Sequence, residues 1–323
     1  MVKIAILDDW QRIARQSADW SALEARAEVS FFHEAFADEQ QVVAALADFD
    51  VVMVMRERTA LPATLLQRLP KLKMLAMTGA RAGSIDLAYL VGKSVVVSTT
   101  EGGGTGSATA ELALGLMLAA VRRIAVGDAE IRTGRFQENV ACGYELAGRT
   151  LGLIGLGRLG SRMGHYGKAL GMEVIAWSQN LTAEDARAKG AALVGKEELL
   201  SRSDVVSLHL VLSQRTRGII GAADLARMKQ GAVLINTSRG PLIDEKALIA
   251  ALEAKRIIAA LDVYDREPLP ADHPLRKLPN TVLTPHIGYV VTEAMQNFYR
   301  QSIENMLAFL DGKPIRLLQL PKS

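Results

Sequence analysis

Cysteine is almost missing from this chain. Cys142 stands alone among 323 residues, which excludes an intrachain disulfide framework and suits a reducing compartment such as the cytoplasm. Charge of one sign is equally scarce in any one place. The 38 lysines and arginines are interleaved with 35 aspartates and glutamates, for a net charge of +3, and no dense basic block appears. That argues against nucleic acid or a membrane surface as partner. Long apolar runs are lacking too: the longest, residues 112–121, is far too short to span a bilayer. The N-terminus opens directly on a strand pattern, Met1-Val-Lys-Ile-Ala-Ile-Leu, without the layout of a signal peptide. No H-E-x-x-H, C-x-x-C or G-x-S-x-G occurs, so zinc-protease and α/β-hydrolase chemistries lack support and no metal is expected. There is no internal repeat and no low-complexity tract.

What is present is organised around Leu151-Gly-Leu-Ile-Gly155-Leu-Gly157-Arg158-Leu159-Gly160. Residues 150–154 read as a buried strand, residues 161–170 as a helix and residues 172–177 as the next strand. In that context G-x-G-x-x-G has a mechanical meaning. Gly155 permits the tight turn, Gly157 lets a pyrophosphate approach the backbone, and Gly160 lets the helix pack on the strand. The helix N-terminus then offers N–H groups and a positive dipole end to phosphate. The position at the end of the second strand, where an NAD site usually carries an acid, is Ser178, followed by Gln179 and Asn180. A carboxylate there would repel a 2′-phosphate and an arginine would attract one. Ser178 can hydrogen-bond a ribose but discriminates weakly. The expected cofactor is NAD, with NADP left open.

At 323 residues and 49% hydrophobic, the chain is long enough for two domains with large cores. Residues 2–7, 29–33, 51–55, 72–77 and 95–97 read as strands, with helical patterns at 13–27, 39–47, 65–69 and 85–91 between them. The alternation resumes at residue 150. Strands fall at 205–208, 232–236, 259–263 and 282–283, with helices at 197–200, 222–228 and 245–254. Strands alternating with helices imply parallel sheets covered on both faces. The glycine-rich break Glu101-Gly-Gly-Gly104-Thr-Gly106 is a hinge candidate; no G-K-[ST] follows it, so a P-loop is excluded. Residues 108–123 are a long apolar helix, 134–148 a loop, and 292–310 a helix long enough to return to the first unit. The expected architecture is α/β: two doubly wound parallel-sheet domains. A flavodoxin-like substrate domain comprises 1–99 plus 292–323, and a Rossmann cofactor domain comprises 100–291.

Ligands of open parallel sheets bind beyond the carboxyl ends of the strands. Three such ends in the second half carry reactive residues: Arg239 after residues 232–236, Glu267 after 259–263, and His286 after 281–285. Each alone also reads as a loop-surface arginine, a solvated turn residue or a turn cap. Together they suit hydride transfer to a 2-oxo acid. A guanidinium fork binds a carboxylate and polarises a carbonyl. A histidine exchanges a proton near neutral pH. A neighbouring carboxylate fixes its tautomer. His33, His165, His209 and His273 read as structural or exposed.

Four motifs carry a resemblance: Gly155-Leu-Gly-Arg-Leu-Gly160, Asn236-Thr-Ser-Arg-Gly240, Leu261-Asp-Val-Tyr-Asp-Arg-Glu-Pro268 and Thr284-Pro-His-Ile-Gly288. In that order they make the chain similar, over nearly its whole length, to the D-isomer-specific 2-hydroxyacid dehydrogenase family of phosphoglycerate, glyoxylate/hydroxypyruvate and formate dehydrogenases. The resemblance implies Arg239 as the substrate-polarising residue, Glu267 as the partner of the histidine and His286 as acid/base. It implies that Thr237, Ser238 and Asp262 face the nicotinamide, that Arg158 and Leu159 face the pyrophosphate, and that Thr109 contacts the cofactor. Arg56 would reach the substrate, and the backbone of Gly79 and Ala80 would hold its carboxylate. Two domains closing on a cleft, a homodimer and a small 2-oxo or 2-hydroxy acid substrate are also implied. The same fold serves nicotinamide-sensing, corepressor-like binding proteins, which is the alternative reading. Ser178 in place of the acid, His209-Leu-Val without a following proline, and Tyr289 where many members have glycine are departures from the family pattern.

Overall fold

The computed structural model describes residues 1–56, 58–79 and 83–318. The strands are β1 Val2–Ile6, β2 Ala27–Phe31, β3 Val51–Val54, β4 Met74–Met77, β5 Val96–Thr99, β6 Thr150–Ile154, β7 Glu173–Trp177, β8 Ala192–Leu193, β9 Val205–Leu208, β10 Val233–Asn236, β11 Ile258–Leu261 and β12 Thr281–Leu283. The helices are α1 Ala14–Ser17, α2 Ser21–Glu24, α3 Glu39–Leu46, α4 Ala63–Leu66, α5 Leu87–Gly92, α6 Ala108–Val121, α7 Ile124–Arg132, α8 Arg158–Ala169, α9 Ala183–Ala188, α10 Lys196–Arg202, α11 Ala222–Arg227, α12 Glu245–Glu253 and α13 Thr292–Leu310.

The chain divides into two compact units. One comprises Met1–Gly106 with Val290–Ser323, the other Ser107–Tyr289. The first holds a parallel sheet in the order β2-β1-β3-β4-β5, the flavodoxin-like doubly wound order. The second holds a parallel sheet in the order β12-β11-β10-β9-β6-β7-β8, a Rossmann order extended by one strand. The inner strands β3, β4, β6, β9, β10 and β11 are buried along their whole length. Helices on both faces of a parallel sheet leave no face for water, so these strands read as predominantly apolar runs.

The first unit keeps residues 100–106 and 290–291, which the sequence patterns assign to the second. Packing explains the shift. The Glu101 N–H donates to Gln301 Oε1 at 2.9 Å, and Asn297 Nδ2 donates to the Glu101 carbonyl at 2.9 Å. A Cβ at Gly103 would overlap the backbone of Glu293 and Ala294. The glycine-rich stretch is thus laid against α13. The single helix expected over 13–27 is instead the short pair α1 and α2. Asp19 breaks it by accepting the Ser21 N–H at 2.9 Å, an Asx-type local bond that competes with the helix ladder. Helix α8 begins at Arg158, three residues before the apolar pattern shows. Strand β8, two exposed residues long, is too short to leave a periodic mark.

At the end of β1, Asp8 is 1% exposed and holds a left-handed φ of 64°. Thr59 Oγ1 donates to its Oδ1 at 2.6 Å and Arg58 Nη1 donates to its carbonyl at 2.6 Å. Burial pushes its carboxyl up to about 6, against the opposing pull of Thr59 and Arg58. A raised folded-state value means the folded chain keeps a proton the unfolded chain has lost. The contribution is complete below the unfolded value, near 4, and is lost as pH rises through about 6, an effect of about 3 kcal/mol. Urea unfolding of wild type and Asp8→Asn at pH 4 and pH 7 checks this. The wild type should lose about 2 kcal/mol relative to the variant between those pH values; a constant gap contradicts it.

Candidate active site

Because β10, β11 and β12 are adjacent and parallel, with Asn236 opposite Leu261 and Leu261 opposite Leu283, their carboxyl ends lie along one edge. Arg239, Glu267 and His286 follow those three ends. The loops touch one another: a Cβ at Gly240 would overlap the backbone of Tyr264 and Asp265, so the arginine turn is packed on the loop that carries Glu267. Glu267 spans two partners. Its Oε1 accepts the Tyr264 N–H at 2.8 Å and its Oε2 meets His286 Nδ1 at 2.5 Å. The pair is part-exposed, with side-chain exposures of 31% and 24%. Arg239 Nη1 donates to the Ser238 carbonyl at 2.7 Å. Tyr289 lies edge-on to the His286 ring at 5.7 Å between centroids.

His286 has a left-handed φ of 52°, sparsely used by residues with a side chain. What holds it there is Asp262, at the end of β11 and 1% exposed. Its Oδ1 accepts from Thr284 Oγ1 at 2.6 Å and from the Ile287 N–H at 2.8 Å, and its Oδ2 from the Gly288 N–H at 2.9 Å. Burial raises the Asp262 carboxyl above its ordinary range, although these donors and His286 favour its charged form. Tyr264 adds a bond from its hydroxyl to the Thr284 carbonyl at 2.9 Å. Thr109 Oγ1 donates to the Gly288 carbonyl at 2.8 Å, so this expected cofactor contact also braces the histidine loop.

The turn after β10 is braced by Asn236, a polar residue ending an apolar strand. Its Nδ2 donates to the Arg239 carbonyl at 2.8 Å and its Oδ1 accepts the Ser238 N–H at 3.0 Å. Ser238 Oγ is turned inward, donating to the Leu208 carbonyl at 2.8 Å. Thr237, by contrast, has a buried hydroxyl without a hydrogen-bond partner among the described residues. Motif matching reached Asn236 and Tyr264 but assigned them no role; the polar end of an otherwise apolar strand was the available signal.

The glycine turn occupies the same sheet edge. Gly155 has φ 97°, and a Cβ there would press on the His209 carbonyl; one at Gly160 would overlap the Gly155 carbonyl. Gly157 has nothing within 4 Å of a Cβ. Two glycines are thus required by packing, and the third leaves open space at the N-terminus of α8, beside Arg158 and Leu159. Together with the unsatisfied Thr237 hydroxyl, these residues fit a dinucleotide, with its pyrophosphate at the helix start. Ser178 follows β7, whose Trp177 carbonyl accepts the Gly155 N–H at 2.8 Å. His209 is a packing residue: burial holds its imidazole down to about 4, and Nε2 meets Ser207 Oγ at 2.9 Å.

In the first unit, Arg56 and Gly79 follow the adjacent strands β3 and β4. The Arg56 N–H donates to Thr78 Oγ1 at 2.8 Å, and its guanidinium lies 3.4 Å from where a Gly79 Cβ would be. The Gly79 N–H, expected to meet a carboxylate, donates to Thr100 Oγ1 at 3.0 Å. Ala80 lies outside the described residues.

Residues 114–288 match the family described as D-isomer specific 2-hydroxyacid dehydrogenase, NAD binding domain. A glyoxylate reductase from Aeropyrum pernix is 38% identical over 257 residues, covering 77% of this chain and 76% of its own length. A D-3-phosphoglycerate dehydrogenase from Archaeoglobus fulgidus is 38% identical over 265 residues, covering 82% of this chain; the match spans half of that relative's length. The crystal structure of a phosphoglycerate oxidoreductase from Vibrio cholerae superposes with a TM-score of 0.91 at 35% identity, covering 97% of this chain and 100% of its own.

The Asp262 clamp yields a direct test. In Asp262→Ala the Ile287 and Gly288 amides lose their acceptor, and each hydrogen bond to a charged group contributes about 1.5–3 kcal/mol. Amide hydrogen exchange at Ile287 and Gly288 should accelerate by at least about tenfold. Unchanged protection would show that the loop is held by something else.

Proposed function

The chain belongs to the D-isomer specific 2-hydroxyacid dehydrogenases, and from that premise we propose that it reduces a small 2-oxo acid to the D-2-hydroxy acid with NADH, or runs the reverse oxidation. The observation that carries this reading is the contact between His286 Nδ1 and Glu267 Oε2 at 2.5 Å, on the same sheet edge as the glycine turn. When bound, the nicotinamide supplies or takes up the hydride. The protein's side chains manage the proton and the charge. With Nδ1 facing a carboxylate, the imidazole proton there is donated to Glu267, and Nε2 is the nitrogen left to serve the substrate. In reduction, Nε2–H of the imidazolium gives its proton to the carbonyl oxygen and becomes neutral. In oxidation, neutral Nε2 takes the hydroxyl proton. Glu267 stabilises the imidazolium and fixes the ring's tautomer. Arg239 pairs with the substrate carboxylate and polarises the adjacent carbonyl. Thr237 and the turn at Gly155, Gly157 and Gly160 hold the dinucleotide, while Asp262 holds the histidine loop. Glyoxylate, hydroxypyruvate and a phosphoglycerate-like acid are the substrates this reading favours, in a cytoplasmic homodimer.

A panel of 2-oxo acids, glyoxylate and hydroxypyruvate first, assayed with NADH and NADPH in parallel tests the reading. Turnover is expected, and His286→Ala should lower kcat by about 10²–10⁴-fold, the usual worth of a positioned acid/base. No turnover with either cofactor across the panel, or an unimpaired His286→Ala, would contradict it.

A further inference from the structure

The acid/base pair is assembled from two loops, Glu267 on the loop after β11 and His286 on the loop after β12, and Tyr264 is bonded to both. It stands at the root of the first loop and is 8% exposed. Its backbone N–H donates to Glu267 Oε1 at 2.8 Å. Its hydroxyl donates to the Thr284 carbonyl at 2.9 Å, with a longer contact to the Leu261 carbonyl at 3.3 Å. The same Thr284 carbonyl accepts the backbone N–H of His286 at 3.1 Å. His286 Nδ1 lies against Glu267 Oε2 at 2.5 Å. The four residues thus close a circuit of hydrogen bonds, from Glu267 to Tyr264, to Thr284, to His286 and back to Glu267.

His286 holds a left-handed φ of 52°, a conformation that persists only where the surroundings restrain it. Asp262 restrains the chain after it, through the Ile287 and Gly288 amides. Before it, the Thr284 N–H sits on the Leu261 carbonyl at 2.9 Å and the Thr284 hydroxyl on Asp262 at 2.6 Å. Those bonds tie Thr284 to β11 and its end. The Tyr264 hydroxyl instead ties the Thr284 carbonyl, which the His286 N–H shares, to the loop that carries Glu267. Burial, with Asp262 and Glu267 close by, pushes this hydroxyl well above its ordinary range, so it keeps its proton and stays a donor near neutral pH. A phenylalanine at this position would keep the ring and the N–H to Glu267 and lose the bond to Thr284.

We propose that Tyr264 is a positioning residue of the acid/base pair, its hydroxyl setting where His286 stands relative to Glu267. The inference rests on the dehydrogenase reading of that pair. With Nδ1 committed to Glu267, the hydroxyl keeps Nε2 aimed at the substrate, and a small error of aim is costly to a proton transfer. Arg239 and the glycine turn lie outside this circuit, so binding of substrate and dinucleotide should be spared.

Tyr264→Phe, which removes one oxygen, tests it by two readouts. With glyoxylate and NADH, kcat should fall about tenfold, the worth of one hydrogen bond, while the KM for glyoxylate and the calorimetric Kd for NADH move less than about twofold. In a His286→Ala background the same substitution should cost nothing further. The second readout needs no turnover. In proton NMR the His286 Nδ1–H resonance, identified by its loss in His286→Ala, should exchange with water at least about fivefold faster in Tyr264→Phe. An unchanged kcat in the active enzyme, or an unchanged exchange rate, overturns the proposal. So does a loss shared equally by NADH binding, which would mark Tyr264 as a general brace of the fold. A wild type inert toward every 2-oxo acid overturns the dehydrogenase reading instead, and the exchange rate then decides the positioning on its own.

Discussion

At the end of β11 a single buried carboxylate, Asp262, accepts hydrogen bonds from the Thr284 hydroxyl and from the Ile287 and Gly288 amides. Those donors lie more than twenty residues away in sequence, on the far side of β12. Without them residues 284–288 would have no reason to fold back, and His286 would have no reason to adopt a left-handed backbone. A buried carboxylate with partners on both oxygens is stable where one lacking them would be costly. The edge of the larger sheet is organised around that constraint. Glu267 reaches His286 because its own loop is anchored by the Tyr264 N–H, and Tyr264 in turn holds the Thr284 carbonyl.

Parallel strand order does the rest of the positioning. Every strand of the second unit ends on the same edge, so residues scattered from Gly155 to His286 arrive together although no two of their motifs are adjacent in sequence. The two glycines forced by packing, Gly155 and Gly160, set the angle at which α8 leaves β6; the third leaves room beside it. The first unit repeats the logic on a smaller scale. Arg56 and Gly79 follow neighbouring strands, and Thr78 and Thr100 fasten their backbones.

Much of this was legible beforehand, for physical reasons. Strands buried on both faces are apolar along their length, so β3, β4, β6, β9 and β10 stood out, and the glycine spacing identified the turn between β6 and α8. Arg239, Glu267 and His286 were legible as polar residues after apolar strands. Other features leave no mark in a one-dimensional pattern. The anchoring of residues 100–106 on α13 depends on a contact of Gly103 with Glu293 and Ala294, far away in sequence. The break between α1 and α2 turns on one aspartate side chain. Roles divide similarly: Ser238 and Thr109, matched by motif to cofactor contacts, spend their hydroxyls on the Leu208 and Gly288 carbonyls. Asp262 is engaged with the histidine loop, a role that backbone amides confer and residue types do not announce.

The central claim is that Glu267 and His286 act as one unit, the carboxylate working only through the imidazole. A double-mutant cycle on kcat/KM for reduction of a 2-oxo acid, with Glu267→Gln, His286→Ala and the two combined, measures this directly. The account predicts that the double variant is no slower than His286→Ala alone. A double variant slower by the product of the two single effects would show that Glu267 acts independently of His286, and would contradict it.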